Sequence, residues 1–305
     1  MKLKFWGVRG SIPSPGAEFV KYGGNTLCVE LCVEDLDRRI IIDAGSGIRL
    51  LGNELMCKKA PAESLRADIF LTHTHLDHIL GFPFFTPIFQ KNARLNIYGP
   101  VTCEDDSLEA VLGGQLSYRY FPIRQAELAA TIDYINLKEG EYDLGDGLQL
   151  TTKYLNHPLL CLGFRFEYKG KICCTAYDTE PFQNLFTTDP HDPSFDPLMA
   201  HEGAAAARDE NLRLEKFFAG ADLLIHDAQF TQQEYDNSKR GWGHSPLEYA
   251  IQTALRSQVS RLALFHHDPM RTDAQLDQLA QMHCDFQAND STQVFFAREG
   301  MVVEL

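Results

Sequence analysis

The chain has 305 residues, a length that fits one large domain or two smaller ones. Its composition, with 44% apolar and 23% charged residues, is that of a globular protein and excludes disordered, collagen-like and low-complexity chains. Acidic residues outnumber basic ones by 42 to 28, and the net charge of −14 argues against strong binding of a polyanion such as nucleic acid. We therefore expect no strong nucleic-acid binding, whereas a small phosphorylated substrate is compatible because a bound metal can invert the local field.

Cysteine usage and hydropathy indicate the compartment. The eight cysteines contain no Cys-x-x-Cys pair, which favours free thiols in a reducing cytosol over a disulfide framework. The first residues, MKLKFWGVRGSIP, lack the apolar core of a signal peptide, and no apolar stretch approaches the ~20 residues of a membrane helix. We expect a cytoplasmic protein without a membrane segment.

Short apolar runs with strand character dominate the first hundred residues, and turn signals such as Gly23-Gly24-Asn25 separate them. One run leads directly into Asp43, and another ends at a cluster of histidines. The pattern predicts strands at Lys2–Val8, Thr26–Val33, Arg39–Ile42, Ala67–Leu71 and Ala93–Tyr98, with helices ending near Leu55 and over Cys103–Leu112.

The second half continues in the same style, around a loop over 181–198 that is rich in Pro, Asp and Thr. Ser245 as N-cap and Pro246 at the first helical position are typical of a helix start. The pattern predicts strands at Leu148–Tyr154, Cys161–Tyr168, Lys171–Tyr177, Leu223–His226, Arg261–Phe265, Val294–Phe296 and Met301–Val303, and helices at Met199–Phe218, from Ser245 to about Arg256, and at Thr272–His283. We expect two mixed sheets packed face to face with helices outside, in one domain over 1–305 with two halves of roughly 1–140 and 141–305.

The most informative segment is His73-Thr74-His75-Leu76-Asp77-His78, which places four potential metal ligands within six residues after a buried strand. In an extended segment, His73 and His75 point to the same side, while Asp77 and His78 follow as the chain turns and can face a second centre. Imidazole and carboxylate groups are ligands for zinc, manganese and iron. The segment therefore predicts a metal site.

One loop cannot close such a site, so ligands from distant parts of the chain are required. Strand ends are the natural source, because a rigid sheet delivers the side chains that follow its strands to one edge. Candidates in these positions are His157, Asp178, His226, Asp227 and His266.

These residues carry a family resemblance. His73-x-His75-x-Asp77-His78 is similar to the signature of the metallo-β-lactamase fold, and the likeness extends over nearly the whole chain. It includes Ile41-Ile42-Asp43-Ala44-Gly45, His157, Asp178-Thr179 and Leu264-Phe265-His266. The resemblance implies an αββα sandwich, and function must then be argued from the site.

Later motifs resemble the phosphodiesterase branch of this fold, which includes the tRNA 3′-processing endonuclease RNase Z and hydrolases of cyclic phosphodiesters. They are Gly7-Val8-Arg9-Gly10-Ser11-Ile12-Pro13, Tyr177-Asp178-Thr179, Leu224-Ile225-His226-Asp227-Ala228-Gln229-Phe230 and Gly243-His244-Ser245. Two departures weigh against tRNA processing. Asp227 stands where the endonuclease has Glu, and its long basic, Gly-rich arm is not identifiable here, since 181–222 contains Pro and acidic residues instead.

The resemblance implies two divalent metal ions, with zinc ahead of manganese and iron. His73, His75 and His157 would hold the first metal, Asp77, His78 and His266 the second, and Asp178 would bridge them. The adjacent His267 stays open as an alternative to His266, and if it is not a ligand we expect it to flank the pocket or to bond to Asp268.

Catalytic roles follow for two residues. Asp77 would also orient the attacking water, and His244 is the candidate general acid, because histidine titrates near neutral pH and can protonate a leaving alkoxide. Asp43, His226 and Asp227 would hold the ligands or His244 in place.

We therefore expect a dinuclear metal-dependent phosphodiesterase whose substrate is a small molecule or cyclic nucleotide. Alternatives are a hydrolase of a lactone, thioester or β-lactam on the same metals, an RNase Z-like endoribonuclease, and a metal-binding protein without turnover. A diiron redox protein is a further rival, although such relatives carry Glu where this chain has His75. A homodimer is compatible with this interpretation.

Overall fold

The computed structural model describes residues 1–58, 64–101, 106–283 and 292–305. Its strands are β1 (Lys2–Gly7), β2 (Cys28–Val33), β3 (Arg38–Ile42), β4 (Leu65–Phe70), β5 (Ala93–Pro100), β6 (Thr131–Leu137), β7 (Gly140–Asp143), β8 (Gln149–Tyr154), β9 (Leu162–Tyr168), β10 (Lys171–Ala176), β11 (Leu223–Asp227), β12 (Arg261–Phe265), β13 (Gln293–Phe296) and β14 (Val302–Glu304). Its helices are α1 (Ile48–Lys58), α2 (Leu76–Ile79), α3 (Leu108–Gln115), α4 (Pro197–Phe218), α5 (Gln232–Glu234), α6 (Leu247–Arg256) and α7 (Asp273–His283).

The strands form two seven-stranded mixed sheets in the described part of the chain. The first has the order β14-β1-β2-β3-β4-β5-β6, and the second has the order β13-β12-β11-β10-β9-β8-β7. Strands β3 to β6 run parallel, as do β10 to β13. The carboxyl ends of parallel strands therefore meet at one edge of each sheet.

Apolar side chains on both faces of the central strands explain the layers. On β3, Ile40 and Ile42 lie in the core between the sheets, whereas Ile41 lies in the outer core with α1 and α3. On β11, Leu223 and Ile225 face the central core, and Leu224 packs outward with residues of α4, α6 and α7. Because successive side chains of a strand face opposite ways, this pattern produces helix, sheet, sheet and helix layers. The predicted αββα sandwich is confirmed.

Several elements differ from the sequence-based expectation. Strands β6 and β7 were not predicted, and α6 begins at Leu247 with Pro246 in the N-cap position. Ser245, expected to cap that helix, instead donates its hydroxyl to the carbonyl oxygen of Thr179, at 2.6 Å. This tertiary hydrogen bond takes the place of a local cap. Part of the helix predicted over Cys103–Leu112 lies outside the described residues, and its described portion begins at Leu108.

The described cysteines are all free thiols, as expected, while Cys103 and Cys284 lie outside the described residues. In the described ranges, none of the helices combines the length and apolarity that a membrane crossing requires.

Candidate metal centre

Strand ends from both sheets bring the candidate ligands to one place. The His73–His78 segment follows β4, His157 follows β8, Asp178 follows β10, and His266 directly follows β12. Strands β4, β10 and β12 are largely apolar and buried, so the polar residue after each of them emerges at the sheet edge. Strand β8 is more polar and only partly buried.

One group of side chains consists of His73, His75, His157 and Asp178, whose potential ligand atoms all lie within 4.8 Å of one another. His75 Nδ1 is 2.9 Å from His73 Nε2 and 3.1 Å from His157 Nε2. His73 Nε2 is 3.5 Å from Asp178 Oδ2. Three imidazoles and a carboxylate oxygen thus converge on one point.

A second group consists of Asp77, His78, Asp178 and His266. The Nε2 atoms of His78 and His266 are each 3.2 Å from Asp178 Oδ1, and they lie 3.5 Å and 3.4 Å from Asp77 Oδ2. Asp178 belongs to both groups and turns a different oxygen to each. The structure therefore brings all seven predicted ligands together, in the two predicted sets, with Asp178 between them.

Unpartnered buried atoms test whether metal ions fit. Within the described part of the chain, His78 Nε2, Asp178 Oδ1 and both ring nitrogens of His266 are buried and make no hydrogen bond. A buried polar atom without a partner costs free energy, so atoms that converge at 3.2 Å without hydrogen-bond geometry need another partner. Imidazole nitrogens and carboxylate oxygens suit zinc, manganese or iron. The donor set fits two divalent cations.

Asp43 and Thr72 support this set from behind. Asp43 is fully buried, and its Oδ2 accepts a hydrogen bond from His78 Nδ1 at 2.7 Å. The Thr72 hydroxyl donates to the same carboxylate at 2.9 Å, and the Thr72 amide donates to Oδ1 at 2.8 Å. A proton on Nδ1 of His78 leaves Nε2 free to bind a cation, which is how such hydrogen bonds orient metal ligands.

Burial and charge set the protonation of the centre. Burial lowers the pKa of His157 to about 4 and lowers that of His73 as well. Burial would also lower the pKa of His266, but the charges of Asp178 and Asp77 raise it to about 9. Burial would raise the pKa of Asp178, but the neighbouring His266 and His78 hold that pKa well below its usual range. Asp178 is therefore a carboxylate at neutral pH.

The His244–Asp227 pair lies beside the second group. His244 Nδ1 donates to Asp227 Oδ2 at 2.8 Å, and the His244 ring stacks on His266 with centroids 4.6 Å apart. Asp227 is fully buried and also accepts from the amides of Thr179 and Gln229. This carboxylate fixes the orientation of the imidazole and leaves its Nε2 available to a substrate.

Gly243 ties the loop before His244 to the first group. Its carbonyl oxygen accepts a hydrogen bond from His157 Nδ1 at 3.0 Å, which leaves Nε2 of His157 for a cation. Gly243 has φ of +81°, and a Cβ at this position would lie 2.3 Å from His157 Nδ1. Only glycine permits this backbone conformation and this close approach.

Two predicted assignments change. His226 was expected to hold the ligands or His244 in place, but its ring packs between Phe218 and Tyr249 on the outer side of β11, and its Nδ1 donates to the carbonyl oxygen of Asp227. Of the adjacent pair His266 and His267, only His266 lies in the cluster. His267 was expected near the pocket or bonded to Asp268, but it donates instead to the carbonyl oxygen of Ala297 at 2.7 Å.

The opening loop contributes two residues that the sequence reasoning did not single out. The amide of Ser11 donates to Asp77 Oδ2 at 2.7 Å. A Cβ at Gly10 would lie 2.2 Å from His266 Cε1, so the bare backbone of Gly10 packs against that ring. The likeness of residues 7–13 to the first loop of the family was the available signal.

Residues 38–267 match the family model of the beta-lactamase superfamily domain, which is well over half of the chain. The chain belongs to this superfamily. Ribonuclease Z of Lactococcus lactis subsp. lactis (strain IL1403) is 31% identical to it over 231 residues, covering 65% of this chain and 69% of that protein.

Two solved structures have the same fold. The metallo-β-lactamase fold protein YhfI from Bacillus subtilis is 17% identical, with a TM-score of 0.64, over 100% of this chain and 99% of that one. A diphosphatase from the PhnP family is 16% identical, with a TM-score of 0.62, over 100% of this chain and 97% of that one. At these identities the likeness shows the fold alone.

Proposed function

We propose that this chain is a dinuclear metal-dependent hydrolase of phosphodiester bonds that acts on a small molecule or a cyclic nucleotide. The observation that carries this proposal is the pair of ligand groups sharing Asp178, with the His244–Asp227 pair against one of them. A hydrolase of a lactone, a thioester or a β-lactam would have no need of an oriented imidazole at this position.

The ligand assignment keeps the two sets that the sequence predicted. His73, His75 and His157 would hold one cation, Asp77, His78 and His266 the other, and Asp178 would contact both. Two divalent ions, with zinc as the first choice over manganese and iron, would stabilise the attacking and leaving oxygens of an in-line phosphoryl displacement.

The chain's own residues would move the protons. Asp77 would accept a hydrogen bond from the attacking water and orient it, while the Ser11 amide fixes one of its oxygens at 2.7 Å. His244 would give its Nε2 proton to the leaving oxygen as the phosphorus–oxygen bond breaks. Asp227 accepts the hydrogen bond of Nδ1 and so would hold Nε2 in the orientation that this transfer requires.

Charge and chain path support a small substrate. The net charge of −14 opposes binding of a long polyanion. His157 and Asp178 are joined by the antiparallel β9–β10 pair, whose connection at Lys169-Gly170 is a tight turn without an inserted arm. The segment 181–196 is irregular and contains several acidic residues, which do not suit a phosphate backbone.

An RNase Z-like endoribonuclease is the second candidate. The observation that favours it is the 31% identity to a protein named Ribonuclease Z over 69% of that protein's length. This relationship weighs against our expectation that nucleic acid is not bound.

A substrate comparison on metal-reconstituted protein tests the proposal. We expect turnover of bis(p-nitrophenyl) phosphate and of a cyclic nucleotide, and little or none of pre-tRNA, a lactone or a thioester. His201→Ala serves as a control, because His201 is exposed on α4 and outside the ligand groups. Efficient, salt-sensitive cleavage of pre-tRNA would establish the second candidate, and turnover confined to the lactone or thioester would refute phosphodiester hydrolysis.

A further inference from the structure

An exposed tryptophan stands next to the candidate general acid. Trp242 lies two residues before His244, between Gly241 with φ of +79° and Gly243 with φ of +81°. It is 57% exposed, although indole is among the side chains that gain most from burial. A large aromatic surface is therefore open to solvent on the loop that carries His244.

A lysine accompanies this indole. Lys239 Nζ lies 3.7 Å from the ring centroid of Trp242 and 5.4 Å from that of Phe230, whose ring is 6.1 Å from His244. Among the ion pairs of the described residues, none involves Lys239. A chain with a net charge of −14 thus presents an uncompensated cation one aromatic ring away from His244.

The loop that bears both residues is held in place by Glu180, two residues after Asp178. Glu180 Oε2 accepts hydrogen bonds from the amide of Gly241 at 2.9 Å and from the hydroxyl of Tyr235 at 3.0 Å. Tyr235 begins a π-helical turn that ends at Lys239, and such turns are frequent at functional sites. These bonds tie the backbone just before Trp242 to the segment that carries Asp178.

We propose that Trp242 and Lys239 form a nucleobase subsite, so that the substrate at this centre is a nucleotide. The inference rests on the proposed phosphodiesterase function and names its substrate class. Aromatic side chains bind nucleobases by stacking, and they do so for any of the bases because each base has a π-face. The ammonium group holds the indole by a cation–π contact and adds the positive charge that a phosphate-bearing ligand requires.

Fluorescence tests the subsite without turnover. The chain has two tryptophans, and Trp6 is buried, so a Trp6→Phe variant leaves Trp242 as the sole indole. In the metal-loaded variant, AMP should quench the emission saturably. Ribose 5-phosphate, which has the same phosphate but no base, should not do so at the same concentrations. Equal quenching by both compounds, or by neither, would overturn the proposal.

Kinetics separate this inference from the proposed function. Trp242→Leu should raise KM for a cyclic nucleotide by roughly tenfold to a hundredfold, the scale of one stacked base, and Trp242→Tyr should restore most of the loss. Tyr118→Leu, which removes another exposed aromatic, should leave KM unchanged. If the wild type hydrolyses the nucleotide but Trp242→Leu has the same KM, the subsite is refuted and the phosphodiesterase stands. If AMP quenches Trp242 but no phosphodiester is cleaved, the subsite stands and the proposed activity fails.

A base can come from a free nucleotide or from an RNA strand. Titration with an eight-residue oligoadenylate beside AMP distinguishes these sources. Comparable affinity assigns the subsite to free nucleotides, whereas much tighter, salt-sensitive binding of the oligomer assigns the same subsite to RNA.

Discussion

Gly10→Ala should damage the metal centre without adding or removing a ligand. A Cβ at Gly10 would lie 2.2 Å from His266 Cε1, 2.3 Å from Nδ1 and 2.8 Å from Nε2. An ordinary contact is 3.4–4 Å, so either the imidazole or the loop must move by about 1 Å. His266 is fully buried and cannot move into solvent.

The displacement is large on the scale of coordination. Ligand distances in metal sites are kept to about ±0.2 Å, so a shift of about 1 Å removes His266 from the second ligand set. We expect Gly10→Ala to weaken binding of one of two metals and to lower kcat/KM by about 10²-fold. Overpacking should also cost about 1–3 kcal/mol of the free energy of unfolding.

Elemental analysis after dialysis, steady-state hydrolysis of bis(p-nitrophenyl) phosphate and a thermal melt measure the three effects. Gly114→Ala in α3 is the matched control, since a Cβ there meets nothing within 4 Å. This control should bind two metals, retain activity and unfold at the wild-type temperature or slightly above it. A Gly10→Ala protein with two metals and wild-type kcat/KM would show that the loop moves and His266 does not, and would refute the dependence of the second metal on the contact between Gly10 and His266.

Three further predictions concern the bridge, the acid and the buried histidine beside the centre. Asp178→Ala should lose at least one of the two metals, because its two oxygens face different ligand groups. His244→Ala should retain both metals and lose about 10²–10⁴-fold in kcat on cyclic nucleotides, but little on p-nitrophenyl esters, whose leaving group needs no proton. Burial lowers the pKa of His267 to about 3 in the folded chain. As the pH falls below about 6.5, His267 therefore binds a proton in the unfolded chain but not in the folded one. The free energy of unfolding of metal-free protein should therefore drop by about 2 kcal/mol more in the wild type than in His267→Gln between pH 7.5 and pH 5.

Each of these has an opposing result. An unchanged metal content in Asp178→Ala would remove the bridging role. An equal loss of kcat on both substrate types would leave His244 as a binding residue and not an acid. Parallel pH profiles for wild type and His267→Gln, measured by urea unfolding, would show that His267 titrates normally in the folded chain.

The convergence of the candidate ligands was predictable from the sequence, because each of them follows the end of a strand. His73, Asp178 and His266 each come at or just after the end of a buried apolar strand, and parallel strands share an edge. The order of the strands therefore brings together residues that are about 90 to 190 positions apart in the chain. This convergence does not depend on the details of side-chain packing. The layer order follows from the same apolar runs.

Other features depend on surroundings that a single sequence does not display. Every residue of β11 is buried, so the period-two pattern that would separate His226 from Asp227 is absent. Strands β6 and β7 are sheet edges with half-exposed, polar residues and no continuous apolar run. Ser245 would cap α6 on local grounds, but the carbonyl oxygen of Thr179 from a distant strand end takes its hydroxyl.

A left-handed backbone conformation helps to keep the candidate ligands at this edge of the sheets. Asp43, Asp178 and His266 have φ values of 61°, 47° and 61°, a left-handed conformation that costs a non-glycine residue on the order of 1–3 kcal/mol. These residues lie just after the ends of strands. There the left-handed conformation turns the chain at once, which keeps the side chain over the edge of the sheet. Glycine would relieve the strain but has no side chain that could bind a cation or accept a hydrogen bond. The strained conformation therefore lowers the stability of the fold but fixes where these side chains lie. The buried contacts of Asp43 with His78 and of Gly10 with His266 keep the strained backbone from relaxing.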